Sequence, residues 1–263
     1  MERVLSLIAG VRASLYPHLE SSDAIPQIDL LEKKHALDAA CATLEWKFRM
    51  LSHCVAILYL LSRTRAQSDD KHSIGLSVEE KDSHTISCPV DLLHTDNVIC
   101  TFYNMLTLSV SLQDAIATLI WDMYGEQISA DYTEGEEIRL NNLTLHKLGK
   151  KLAQDCPLGV VINNHTSRGQ NYAKIIELRN FLVHRSLAGV LVQDPINPHS
   201  ILEIESRWTA TGQKIPMPLY AEFVYRETFR LIRNICGCIR DNPATCIEKT
   251  RQDSQRKQLD QLQ

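Results

Sequence analysis

The stretch LDAACATLEWKFRMLSHCVAIL, residues 37–58, carries the clearest structural signal in this chain of 263 residues. Its apolar positions follow one another in alternating steps of four and three: Leu37, Cys41, Leu44, Phe48, Leu51, Val55 and Leu58. This spacing aligns them along one side of an α-helix. The stretch therefore predicts a helix over about residues 32–64 whose apolar side packs against other helices.

The same periodicity recurs further along the chain. A second seam predicts a long helix over about 97–125, with Thr95 or Asp96 as its N-cap. A third helix is predicted from Pro218 to about Asn242, because Pro243 cannot continue the helical hydrogen-bond ladder. Shorter helices are predicted at 2–20, 140–155 and 170–187. The second seam consists of Val98, Phe102, Met105, Leu112, Ile116, Leu119 and Met123.

Together these patterns predict an all-α fold, an antiparallel helical bundle. The exception is a pair of β-prone runs separated by a proline-containing turn, which predicts a small β-hairpin insertion near 189–208. We expect one domain over 1–263, with a flexible loop insertion at 64–96, where polar and charged residues lack periodicity. The Gln-rich end, 249–263, is expected to fray.

Composition limits the class of protein. Hydrophobic residues make up 44% of the chain and charged residues 23%, as in ordinary globular domains. No apolar run approaches the ~20 residues of a membrane span, so no membrane association is expected. The eight cysteines form no Cys-x-x-Cys pair, which favours reduced thiols and a cytoplasmic location. No metal site, phosphate loop or dinucleotide fingerprint is present in the pattern, so we predict no cofactor.

Charge is distributed unevenly. From Arg139 to the end there are 18 Lys and Arg against 11 Asp and Glu, whereas residues 1–138 hold 10 against 21. The densest basic stretch is 139–185, which contains only two carboxylates, Asp155 and Glu177. A locally basic region on an acidic protein can attract a polyanion, although a solvated surface is the plain alternative.

The stretch that carries chemistry lies in the predicted helix 170–187. It places Glu177, Asn180 and His184 along one stripe, with Arg179 beside it. Histidine can transfer protons near neutral pH, and arginine can hold phosphate oxygens with two parallel hydrogen bonds. Asparagine can fix geometry without titrating. These residue types on one helix face suit phosphodiester chemistry.

The string Arg179-Asn180-Phe181-Leu182-Val183-His184 resembles the signature of the HEPN domain (higher eukaryotes and prokaryotes nucleotide-binding), which is Arg, a polar residue, three further residues and His. The resemblance implies an all-α bundle and metal-independent endoribonuclease activity that leaves 2′,3′-cyclic phosphate and 5′-OH ends. It assigns Arg179, Asn180 and His184 to the catalytic positions. Glu177 is a supporting candidate. Ser186 stands where related toxins often carry a modifiable tyrosine, so that form of regulation is not expected.

The resemblance also implies partners. HEPN proteins dimerise so that two motif helices share one cleft, and many act as toxins or antiviral defence effectors. We therefore expect RNA as substrate, a homodimer with a composite active site, and a cognate antitoxin or sensor protein as a further partner. The basic stretch supplies the predicted RNA contacts: Lys147, Lys150, Lys151, Arg168, Lys174 and Arg185.

Two alternatives remain open from the residues alone. The chain could be a non-catalytic helical module that binds nucleotide, RNA or a protein partner. It could also be a structural helical protein in which Arg179 forms an ion pair with Glu177 or Asp155.

Overall fold

The computed structural model describes residues 2–21, 27–67, 90–130, 144–152, 156–184, 190–192 and 202–247. In that part of the chain the structure consists mostly of helices, with three short strands and connecting turns, so the predicted all-α class with a small β insertion is confirmed. The helices are α1 Glu2–Glu20, α2 Gln27–Gln67, α3 Val90–Ala130, α4 Leu145–Lys151, α5 Pro157–Thr166, α6 Asn171–His184 and α7 Met217–Asp241.

The chain divides into two compact units. Unit 1 comprises residues 1–49, 110–173 and 226–263, and unit 2 comprises 50–109 and 174–225. Three long helices, α2, α3 and α7, contribute residues to both units. No described helix is long and apolar enough to cross a membrane.

Unit 1 is built on the apolar sides of its helices. In α1 the buried positions recur every three or four residues: Val4, Ile8, Val11, Leu15 and Leu19. Two hydrogen bonds join the segment after α7 to other parts of unit 1. The Tyr124 hydroxyl donates to the Pro243 carbonyl at 2.8 Å, and the Leu158 amide donates to the Cys246 carbonyl at 2.8 Å.

Unit 2 has its own core, formed by the remaining parts of the long helices, most of α6 and the small sheet. Phe102 and Tyr220 are both fully buried, with ring centroids 6.0 Å apart. The strands are β1 Leu191–Val192, β2 Glu203–Ile204 and β3 Ile215–Pro216, in the order β1-β2-β3. Both pairs are antiparallel, with Leu191 opposite Ile204 and Ile204 opposite Ile215.

The sheet partly matches the predicted hairpin. β1 and β2 lie in the predicted interval, whereas β3 was not predicted. Two residues are too few to show an alternating pattern, so β3 is defined only by its pairing with β2. The segment Ser206–Trp208, predicted as strand, forms a single 3₁₀ turn. The intervening residues 193–201 lie outside the described part of the chain.

The long helices extend beyond their predicted bounds. α2 continues to Gln67 and α3 begins at Val90, so the interval predicted as a loop, 64–96, is helical at both of its ends. Thr95 and Asp96 are therefore inside α3 and do not cap it. The apolar seam marks where a helix contacts the core, whereas the backbone ladder can continue through solvated residues with good helix propensity. Residues 68–89 and the predicted frayed tail from 249 lie outside the described residues.

The region before the motif helix also differs from its prediction. The structure has α4 within the interval 140–155, where one longer helix was predicted, and it has α5 between that interval and the motif helix, where no helix was predicted. Thr144 caps α4, since its hydroxyl accepts from the Lys147 amide at 3.3 Å. Pro157 then starts α5, after Cys156, whose Sγ accepts from the Gly159 amide at 3.1 Å.

Candidate active site on helix α6

Helix α6 places the motif on a boundary between core and solvent. The side chains of Tyr172, Ala173, Ile175 and Leu178 are buried, and this apolar side anchors the helix. Glu177, Asn180 and His184 are exposed. The predicted stripe of polar residues therefore faces solvent along its length, where a substrate could reach it. The predicted helix ended at 187, and residues 185–189, including Arg185 and Ser186, lie outside the described part.

Arg179 and Asn180 are brought together directly. The Arg179 Nη1 donates to the Asn180 Oδ1 at 2.9 Å. Arg179 itself is half-buried, and its Nε is buried with no hydrogen-bond acceptor among the described residues. The guanidinium is thus oriented by the neighbouring amide and not by a carboxylate.

This arrangement bears on the alternative of a purely structural helical protein, in which Arg179 would form an ion pair with Glu177 or Asp155. Within the described residues Arg179 forms no ion pair, and Glu177 is exposed. Asp155, the other proposed partner, lies outside that part. His184 lies one helical turn beyond Asn180 on the same side of α6, because residues four apart are neighbours on a helix surface.

A second cluster lies beside the motif and was not predicted. Phe181 and Trp208 have ring centroids 4.8 Å apart, and the Arg207 guanidinium lies 4.8 Å from the Phe181 centroid and 4.7 Å from that of Trp208. We call these three residues the aromatic cluster. Arg207 is exposed. The three tryptophans, Trp46, Trp121 and Trp208, are far apart along the chain, and no local sequence signal links Trp208 to Phe181.

The turn that carries Arg207 and Trp208 is held at both ends. The Ser206 hydroxyl and amide both donate to Glu205, which lowers the pKa of that carboxyl. The Lys174 Nζ, at the start of α6, donates to the Thr209 carbonyl at 3.0 Å. Lys174, predicted as an RNA contact, therefore has a structural partner that ties α6 to the turn.

Four of the other predicted RNA contacts lie in unit 1, and the fifth, Arg185, is outside the described residues. Lys147, Lys150 and Arg168 are exposed, and Lys151 is half-buried. Arg168 belongs to the turn between α5 and α6, where Gly169 adopts a φ of 91° that favours glycine. Exposure makes Lys147, Lys150 and Arg168 accessible to a polyanion, and the role of all four residues in RNA binding stays a prediction.

In the part of the chain that the structure describes, no three His, Cys, Asp or Glu side chains are grouped as potential metal ligands. Comparisons with known proteins add nothing further: no family model, curated protein or solved structure matches the chain.

Proposed function

We propose that this protein is a HEPN-type endoribonuclease that cleaves RNA without a metal ion and leaves 2′,3′-cyclic phosphate and 5′-OH ends. The observation that supports the proposal is the solvent-facing stripe of α6, where Arg179 is hydrogen-bonded to Asn180 and His184 is exposed one turn later. A cation, an orienting amide and a proton-transfer group are then available to a bound phosphodiester.

In the proposed reaction, the ribose 2′-oxygen attacks the adjacent phosphorus while one His184 accepts the 2′-hydroxyl proton. The bond from phosphorus to the 5′-oxygen breaks, and a second histidine donates a proton to that oxygen. The Arg179 guanidinium stabilises the negative charge that develops on the phosphorus oxygens. Asn180 orients Arg179, and Glu177 is a supporting residue at the edge of the site.

The reaction needs a proton acceptor and a proton donor, and α6 carries one histidine in the motif. We therefore propose a two-fold dimer in which two α6 helices face one cleft. Such a protein would fit a toxin or defence effector in the cytoplasm, restrained by an antitoxin or released by a sensor. The alternative is a helical module that binds RNA or nucleotide without cleaving it, for which the exposed Arg207 on the aromatic cluster would be a suitable contact.

The test is cleavage of end-labelled single-stranded RNA by the purified protein in excess EDTA. His184→Ala should lower the single-turnover rate by about 10² or more, the usual effect of losing a positioned acid–base group. Arg179→Ala should cause a comparable loss, and Arg179→Lys should not restore the rate, because an ammonium lacks the planar two-pronged contact.

The matched control is His53→Ala, which removes another exposed histidine of unit 2. It should cleave at the wild-type rate. Cleavage that requires added magnesium, or His184→Ala that cleaves like the wild type, would contradict the proposal. RNA binding without cleavage in every variant would support the binding-module alternative.

A further inference from the structure

We propose that a groove between α1 and α7 in unit 1 binds a small organic anion with an apolar body. The groove has a volume of about 570 Å³, within the range of small-molecule sites. Its lining comes from two α1 turns and three α7 turns: Glu2, Arg3, Ser6, Leu7, Phe229, Arg233, Gly237 and Arg240. None of the lining residues belongs to α6, and the proposal does not rest on RNA cleavage.

The charge of the lining determines the sign of the ligand. Three arginines, Arg3, Arg233 and Arg240, stand against one carboxylate, Glu2. Arg240 is paired through its Nε with Asp241 Oδ1 at 2.7 Å. No carboxylate of the described residues pairs with Arg3 or Arg233. Guanidinium groups that lack a carboxylate partner favour an anionic ligand, which they can hold with charge-assisted hydrogen bonds.

The apolar part of the groove determines the rest of the ligand. Leu7 and Phe229 are half-buried and contribute hydrocarbon surface to the lining. Gly237 lies opposite open space, because a Cβ built at that position would meet no heavy atom within 4 Å. The glycine therefore leaves space in the groove that a side chain would fill. A bare inorganic anion would not cover the apolar surface of Leu7 and Phe229, so a ligand with an apolar body fits better.

Arg233 contacts Asn234, which in turn contacts His165. Its Nε donates to the Asn234 Oδ1 at 3.4 Å, and the Asn234 Nδ2 lies 2.9 Å from the Nε2 of His165 on α5. With Asn234 donating, His165 accepts at Nε2 and is neutral. The orientation of the amide is then defined by His165, and its Oδ1 faces the Arg233 Nε.

The experiment is a fluorescence titration of the full chain with 8-anilinonaphthalene-1-sulfonate, an aromatic anion that becomes fluorescent when it leaves water. We expect saturable binding at one site. Gly237→Leu should weaken binding at least tenfold by filling the groove, and its thermal unfolding should occur at or above the wild-type temperature, because leucine favours a helix over glycine. Arg3→Gln combined with Arg233→Gln should also weaken binding about tenfold.

Three controls separate the proposed site from general surface binding. Arg49→Gln removes an exposed arginine of unit 1 outside the groove and should bind like the wild type. The uncharged analogue N-phenyl-1-naphthylamine should bind at least tenfold more weakly, and millimolar inorganic phosphate should not displace the dye. Unchanged binding by Gly237→Leu, equal binding of the uncharged dye, or complete displacement by phosphate would each overturn the proposal.

Discussion

The Arg179 guanidinium donates through Nη1 to the Oδ1 of its sequence neighbour Asn180, and its buried Nε has no acceptor among the described residues. A buried N–H without an acceptor costs about 1–3 kcal/mol, and because this Nε is closed to solvent, a substrate cannot supply the acceptor. In the proposed enzyme the substrate phosphate binds the Nη end of the guanidinium, and Asn180 acts by orienting Arg179.

Substitutions at Asn180 should separate orientation from charge. Asn180→Ala removes the acceptor, so Arg179 loses its fixed orientation and the single-turnover cleavage rate should fall about tenfold. Asn180→Asp should lower RNA affinity further, because a carboxylate pairs with Arg179 and repels phosphate. Filter binding with single-stranded RNA measures the order wild type, alanine, aspartate. Tighter RNA binding by the aspartate variant would contradict the role given to Asn180.

The proposed dimer should depend on the end of α6. Val183, an apolar residue next to His184 on the motif helix, is 42% exposed. If this surface faces a second copy, Val183→Asp should weaken self-association at least tenfold, because a charge would be buried against the partner. Sedimentation at micromolar concentration measures the effect. The control is Leu219→Asp on α7, 53% exposed in the wild type, which should remain dimeric. A wild-type protein that cleaves RNA as a monomer would exclude the composite site.

The basic residues of α4 should contribute to RNA affinity through phosphate contacts. Each contact on a single strand changes log affinity by about 0.7 for each log unit of salt. Replacing Lys147, Lys150 and Lys151 together with Gln should therefore make the salt dependence less steep. Fluorescence anisotropy with labelled RNA between low and physiological salt gives the slope. An unchanged slope would mean that these lysines only solvate the helix surface.

Acid should destabilise the protein through His165. Burial lowers the pKa of this imidazole, with Glu227 opposing the shift and Arg230 adding to it. A histidine whose folded pKa lies below its unfolded value of about 6.5 stabilises the fold above that pH, and this stability is lost as the pH falls towards the folded pKa. Protonation would also place a donor at Nε2 against the Asn234 Nδ2.

The measurement is the free energy of unfolding in urea between pH 5 and 8. His165→Gln should lose less stability on acidification than the wild type. Some dependence of stability on pH should remain in this variant, because burial and Lys150 also lower the pKa of His146. His53→Gln serves as the control for removing a histidine at an exposed position. A wild-type curve that is flat below pH 6.5 would contradict the prediction.

Two helical glycines should respond oppositely to alanine. A Cβ at Gly149 in α4 would lie 2.5 Å from the Ile162 Cγ2 of α5, so Gly149→Ala should destabilise by about 1–3 kcal/mol despite its better helix propensity. A Cβ at Gly237 would meet nothing within 4 Å, so Gly237→Ala should stabilise by up to about 1 kcal/mol. Chemical denaturation measures both, and equal shifts in the same direction would contradict the packing described for α4 and α5.

The helices could largely be predicted from the order of residues, because helical hydrogen bonds join residues four apart and the apolar side repeats with the same period. The seam from Leu37 to Leu58 and the placement of Asn180 one turn before His184 are both of this kind. Where the period was weak, as in the two-residue strand β3, prediction failed.

Contacts between distant parts of the chain depended on the tertiary structure. Trp208 meets Phe181 because a turn after β2, tied by Lys174 to the start of α6, carries it there. His165 on α5 contacts Asn234 on α7 because the two helices approach each other at that point. Neither pair has a spacing that a local pattern could reveal. Side chains far apart in sequence are brought together by the burial of whole helices, and that burial depends on all of the apolar surfaces at once.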